Sequence, residues 1–164
     1  MKLEGSCHCG AVKFTVESHT PYPFNYCYCS ICRKVNGGGG FNINIMADAN
    51  TLEVSGMDNV SIYRSRENQR GAYEADGLGF SRRHFCKTCA TMLWSFNPNY
   101  PDWIYPYASA IDTQLPAAPQ RKHFMLAFKP DWVPVELHEG DTQFEHYPDG
   151  SIEEWHKSRN LWQD

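Results

Sequence analysis

Seven cysteines in three tight groups constrain this chain more than any other feature: Cys7-x-Cys9, Cys27-x-Cys29-x-x-Cys32 and Cys86-x-x-Cys89. An odd number cannot close into disulfides without leaving one over. The N-terminal stretch Met1-Lys2-Leu3-Glu4-Gly5 lacks the apolar run of a secretory signal. No segment approaches the roughly 18 apolar residues of a membrane span. A cytoplasmic, reducing compartment is therefore expected, and there clustered cysteines are more often metal ligands or redox groups than bridges.

Each spacing suits a metal. In an extended segment residues i and i+2 face the same way, so both thiolates of a C-x-C can reach one ion. A C-x-x-C closes around a metal through a tight turn, and zinc takes four such ligands tetrahedrally. Two closed four-thiolate sites would need one more cysteine than the chain has. The arithmetic suggests Cys7, Cys9, Cys86 and Cys89 as a closed structural set, with Cys27, Cys29 and Cys32 as a three-ligand set. A vacant fourth position is the mark of catalytic zinc. Spacing does not fix which groups pair. His8 or His84 could complete the second set, or the middle group could be redox thiols without metal.

The rest of the 164 residues reads as one mainly β domain. Val12, Phe14 and Val16 alternate with Lys13 and Thr15, and Phe41 to Ile45 alternates likewise. Further strands are expected at residues 51–55, 60–64, 80–85, 92–96, 104–108 and 123–128. Gly37 to Gly40 reads as a turn between strands, one able to approach a ligand closely, and it lacks the Lys-Ser/Thr ending of a phosphate loop. The one helix expected is C-terminal. There Ser151 and Glu154 form a capping box, and Ile152, Trp155 and Trp162 fall near one face. Leu, Ile, Val and Phe are few, so an aromatic-rich core with metal cross-links is expected. The formal net charge of −4 argues against nucleic acid as a partner. His138, His146 and His156 are expected at the surface.

Three stretches together resemble the glutathione-dependent formaldehyde-activating enzyme family, which includes the CENP-V-type proteins. They are Gly5 to Val12, Tyr26 to Lys34 and His84 to Trp94. The resemblance spans about residues 3–135 of a single domain, 1–164, with a looser C-terminal extension. It implies an Mss4-like fold of folded antiparallel sheets around a structural zinc on Cys7, Cys9, Cys86 and Cys89. It implies a second, labile or catalytic zinc on Cys27, Cys29 and Cys32, and a carbon–sulfur lyase resembling S-(hydroxymethyl)glutathione synthase. Glutathione would be the cosubstrate, and the partners a small thiol and a small aldehyde. Cationic or N–H donors are then expected for the carboxylates of glutathione, with Arg33, Lys34, Asn36 and Gly37 the first candidates. Arg82 and Arg83 are further ones. His123 and Trp132 receive no role.

The sequence departs from the family pattern at Tyr28, where histidine is frequent, and at Ala90, where glycine is usual. The alternatives are a non-catalytic zinc-stabilised binding module and a redox enzyme of the methionine sulfoxide reductase type. The oligomeric state stays open, a homodimer among the candidates.

Overall fold

A computed structural model describes residues 1–36, 38–66 and 73–164 of the chain. Strand β1 (Lys2–Ser6) pairs antiparallel with β2 (Lys13–Glu17), in the register Leu3↔Val16 and Gly5↔Phe14. The expected alternation holds, because Val12, Phe14 and Val16 are buried while Lys13 and Glu17 are exposed. Gly5 is required here by close approach. A Cβ at that position would stand 2.3 Å from the Phe14 ring and 2.5 Å from the Ala110 carbonyl oxygen.

After β2 come β3 (Asn25–Cys27), α1 (Ser30–Val35), β4 (Asn42–Ile43), β5 (Ala47–Asp48), β6 (Glu53–Ser55) and β7 (Val60–Tyr63). The second half holds β8 (Arg82–Cys86), β9 (Met92–Phe96), β10 (Trp103–Pro106), β11 (Lys122–Phe124), β12 (Thr142–Phe144) and α2 (Ile152–Lys157). They build three sheets, ordered β1-β2-β6, β5-β10-β9-β8-β7 and β12-β11-β3-β4. The first two are antiparallel as expected. The third is mixed, since β11 runs parallel to both β3 and β12.

The larger core takes Leu3, Phe14 and Val16 from the first sheet, Val12 from just before β2, and Leu93, Trp94 and Ile104 from the second sheet. Phe14 meets Trp94 edge-on at 5.2 Å. Fully burying such side chains contributes about 1.5–3 kcal/mol each, so aromatic mass compensates for scarce aliphatics. A smaller core of Cys27, Cys29, Phe124 and Met125 lies under the third sheet.

Several expected strands are shorter than the sequence suggests. Residues 41–45 keep only β4, and residues 126–128 of the expected 123–128 strand form a 3-10 turn. Of the Gly37–Gly40 run, Gly37 lies outside the described residues. Gly40 has φ +80° and its α-carbon abuts Val133, so there the run serves packing. The C-terminal helix has the expected capping box, with Ser151 Oγ accepting from Glu154 N and Glu154 Oε2 accepting from Ser151 N. It ends at Lys157, so Trp162 lies beyond it and stacks on His19. His156 is a correction. It is 0% exposed, packed against Phe24, Tyr22 and Trp155, because Ile152 and His156 share a helix face that turns inward. No helix among the described residues is long and apolar enough to cross a membrane.

Candidate functional site

The first cysteine group converges through turns rather than through an extended segment. Gly10 N donates to Cys7 O at 2.9 Å, which folds Cys9 back beside Cys7. Ala90 N donates to Cys86 O at 2.9 Å, closing the C-x-x-C loop between β8 and β9. The sulfurs of Cys7, Cys9, Cys86 and Cys89 lie within 4.8 Å of one another. Cys7 Sγ to Cys9 Sγ is 3.5 Å and Cys9 Sγ to Cys86 Sγ is 3.7 Å. Both are far beyond a disulfide bond of about 2.05 Å. They approach the ~3.8 Å edge of a tetrahedron of sulfurs each about 2.3 Å from a zinc ion. The donor set therefore fits a closed thiolate site.

Surrounding donors fit negative sulfur. Val12 N donates to Cys7 Sγ at 3.2 Å. Thr91 Oγ1 accepts from His8 N at 3.1 Å, which leaves its hydroxyl proton for Cys89 Sγ at 3.2 Å. That hydroxyl is the first cause holding the Cys89 thiol down to about 5. His8 contributes only its backbone N–H among these contacts, and His84 stacks on Trp94 at 5.2 Å. Neither joins a cysteine group.

Cys27 ends β3, Cys29 caps α1, and Cys32 lies in the first turn of that helix, which was not expected from the sequence. Cys29 Sγ accepts from Cys32 N at 3.4 Å. The three sulfurs again lie within 4.8 Å of one another, and no fourth His, Cys, Asp or Glu among the described residues completes the group. Hydrogen bonds from Cys27 and Cys32 pull the Cys29 thiol down to about 3, and Cys27, as a donor to Cys29, is pushed well up. The three converging sulfurs, with Cys32 N donating to Cys29 Sγ, form a donor set that fits a thiophilic cation.

The cluster forms part of the wall of a cavity of about 640 Å³. Two sheets face each other across it. On the five-stranded sheet, Arg83, Ser95 and Tyr105 sit in one row by the register of β8, β9 and β10, and all three line the cavity. On the mixed sheet, Lys122 pairs with Asn25 and Phe124 with Cys27, and these four also line it. The segment from Tyr147 to Glu153 supplies a further side.

The expected carboxylate binders divide sharply. Arg82 is spent on Glu74 at 3.0 Å, whereas Arg83 faces the cavity and acts electrostatically on Cys32. Arg33, Lys34 and Asn36 do not line it. Ile31 and Cys32 hold the cavity side of α1, and at 100° per residue Lys34 points away from Cys32. Asn36 bonds to Asn42. Gly37 lies outside the described residues.

Alternation along β3 sends Tyr26 and Tyr28 to the opposite side from Cys27, where both meet Phe41 and His123. Tyr28 Oη is hydrogen-bonded to His123 Nδ1 at 2.8 Å, and Asp141 lies 3.7 Å from His123 Nε2. This buried trio braces the cluster from behind and does not line the cavity. Trp132 is 70% exposed. Sequence reasoning missed Lys122, Ser95, Tyr105 and Tyr107 as cavity residues. Only the period-two pattern of β9 and β10, read for its polar face, carries a signal for Ser95 and Tyr105.

Comparison with known proteins agrees with this geometry. The family model described as "Glutathione-dependent formaldehyde-activating enzyme" matches residues 2–127. A protein of Halomonas elongata named "Putative glutathione-dependent formaldehyde-activating enzyme" is 55% identical over 162 residues, covering 98% of each chain. A solved structure of a Rhodobacter sphaeroides protein superposes with a TM-score of 0.50 at 24% identity, covering 72% of this chain and 100% of that one. The last likeness concerns the fold alone.

Proposed function

The chain belongs to the glutathione-dependent formaldehyde-activating enzyme family, and from that premise we propose that it adds glutathione or a related thiol to formaldehyde or a small aldehyde. In the cleavage direction this is a carbon–sulfur lyase. The observation that carries the reading is the three-thiol cluster on a cavity wall, one donor short of a closed site. A zinc ion on Cys27, Cys29 and Cys32 would supply an open coordination position that favours a substrate thiol as thiolate at neutral pH. Cys7, Cys9, Cys86 and Cys89 would hold a structural zinc tying the β1–β2 turn to the β8–β9 turn.

The chain's own groups then serve the addition. Thiolate sulfur attacks the carbonyl carbon, a C–S bond forms, and the C=O π pair moves to oxygen. That oxygen takes up a proton equal to the one the thiol lost, so glutathione and formaldehyde give S-hydroxymethylglutathione with nothing left over. Arg83 presents a guanidinium where negative charge sits first on sulfur and then on oxygen. The buried Tyr107 hydroxyl lines the same cavity. Burial raises its pKa, which keeps it a neutral hydroxyl that can donate a hydrogen bond to the developing alkoxide. Phe124 and Tyr105 keep water from the reacting atoms. The thiols of both groups stay reduced in a cytoplasmic compartment.

The test pairs metal analysis with turnover. Metal content near two per chain is expected. Cys29→Ser is expected to lose one metal and all turnover above the spontaneous glutathione–formaldehyde rate, read by exchange NMR, while keeping the other metal and a cooperative unfolding transition. Wild-type turnover in Cys29→Ser overturns the assignment. One metal per chain with no turnover identifies a zinc-stabilised binding module instead.

A further inference from the structure

Lys122 is the part of the cavity wall that the addition chemistry leaves unused. Its side chain is buried, with the residue 8% exposed. Its ammonium has a long hydrogen bond, 3.5 Å, to the Asp149 carbonyl oxygen. The Phe24 and Phe144 rings flank it with centroids at 5.8 and 5.9 Å. No carboxylate among the described residues lies within 4.0 Å of it. Glu154 and Asp149 act on it only from a distance, and the Glu154 carboxylate is engaged with Ser151 N at 2.6 Å. Burial lowers the Lys122 pKa, as expected of an ammonium short of anions. A charge buried this way is costly unless something completes it.

Its position relative to the thiols is set by strand register. Lys122 opposes Asn25 and Phe124 opposes Cys27, so Lys122 stands two residues, about 7 Å, up the strand from the Cys27 row on the same face. A thiol whose sulfur sits at the cluster and whose chain runs along this face brings a group several bonds away to the ammonium. We infer that Lys122 is a specificity-determining residue, holding a carboxylate at the far end of the thiol substrate and so selecting thiols with an anionic arm over small neutral ones. This rests on reading the cavity as a thiol site. Tyr147 to Glu153, which also line the cavity, fall outside residues 2–127 matched by the family. Part of the enclosure around such an arm is therefore built by a segment the family match does not include.

The probe is S-methylglutathione, which has both carboxylates and no free thiol, with binding read by calorimetry. Lys122→Met is expected to weaken it by about tenfold to a hundredfold, the worth of a charge-assisted hydrogen bond. In the wild type, amidating one of the two carboxylates is expected to cost the same factor. In Lys122→Met that amide and the parent are expected to bind alike. The wild-type series stands without any variant, and an unchanged melting temperature checks the fold of Lys122→Met. Equal wild-type affinity for the parent and both amides overturns the inference, as does wild-type affinity in Lys122→Met. Lys122-dependent binding without turnover above the spontaneous rate removes the proposed reaction and leaves the carboxylate anchor standing. Turnover without Lys122 dependence does the reverse.

Discussion

Ala90 follows the last cysteine with φ +60°, in the left-handed region where an L side chain crowds its own backbone. Its N–H closes the C-x-x-C loop onto Cys86 O, so the backbone there is dictated by the cysteine geometry. Ala90→Gly is expected to stabilise the protein by about 0.5–1 kcal/mol, relieved strain less the greater freedom of glycine when unfolded. A rise in Tm of about 1–4 °C would register it; a fall would mean the alanine methyl makes a worthwhile contact. Residue-level legibility followed chemistry. Cysteines advertise themselves, because ligand spacing survives any surrounding sequence. Lys122 does not, since a single lysine beside His123 looks like any solvated charge until the register of β3 and β11 turns it inward. His156 is expected at the surface yet is buried, and its i, i+4 relation to Ile152 is the signal that turns it inward.

At the level of elements, the capping box at Ser151 was legible because its two hydrogen bonds are written in residues four positions wide. Ser151→Ala removes the bond to Glu154 N and is expected to cost about 1 kcal/mol, read from the urea midpoint. No loss would mean that the stack of Trp155 on Phe24, with centroids 3.7 Å apart, holds α2 unaided. Helix α1 was illegible for the opposite reason. It has six residues, none of them fully buried, so no apolar period announces it, and the cysteines that start it read as a metal knuckle. Strands β3, β11 and β12 are three residues long, too short for alternation to show. Their pairing partners lie roughly a hundred residues apart or across a long connection, which local pattern cannot reveal.

Across the whole molecule, three buried imidazoles tie stability to pH. His84, His123 and His156 are 8%, 2% and 0% exposed, and burial lowers the pKa of each. The unfolded chain, with histidine near 6.5, then binds more protons than the folded one just below that pH. Stability is therefore complete above about pH 6.5 and is lost as pH falls toward the depressed values, by at most about 1.4 kcal/mol per unit for each histidine. His156→Leu is expected to flatten this dependence between pH 6.5 and 5, measured by urea titration. An unchanged slope would assign the acid sensitivity elsewhere. Protons also compete with metal for thiolates, but that contribution is common to both proteins and cancels in the comparison.

The parallel pairing of β3 with β11 also orders events in time. As the chain is synthesised from its N-terminus, Cys89 completes the first cysteine group when β4 is already available to β3 but its parallel neighbour β11 is still unmade. The cavity beside the second group is walled on every side only after Tyr147 to Glu153 arrive. At a synthesis rate of about 5–20 residues per second, a nascent chain thus has its first cysteine group complete for some seconds before that cavity is enclosed. The enclosed cavity is among the last parts of the molecule to be completed.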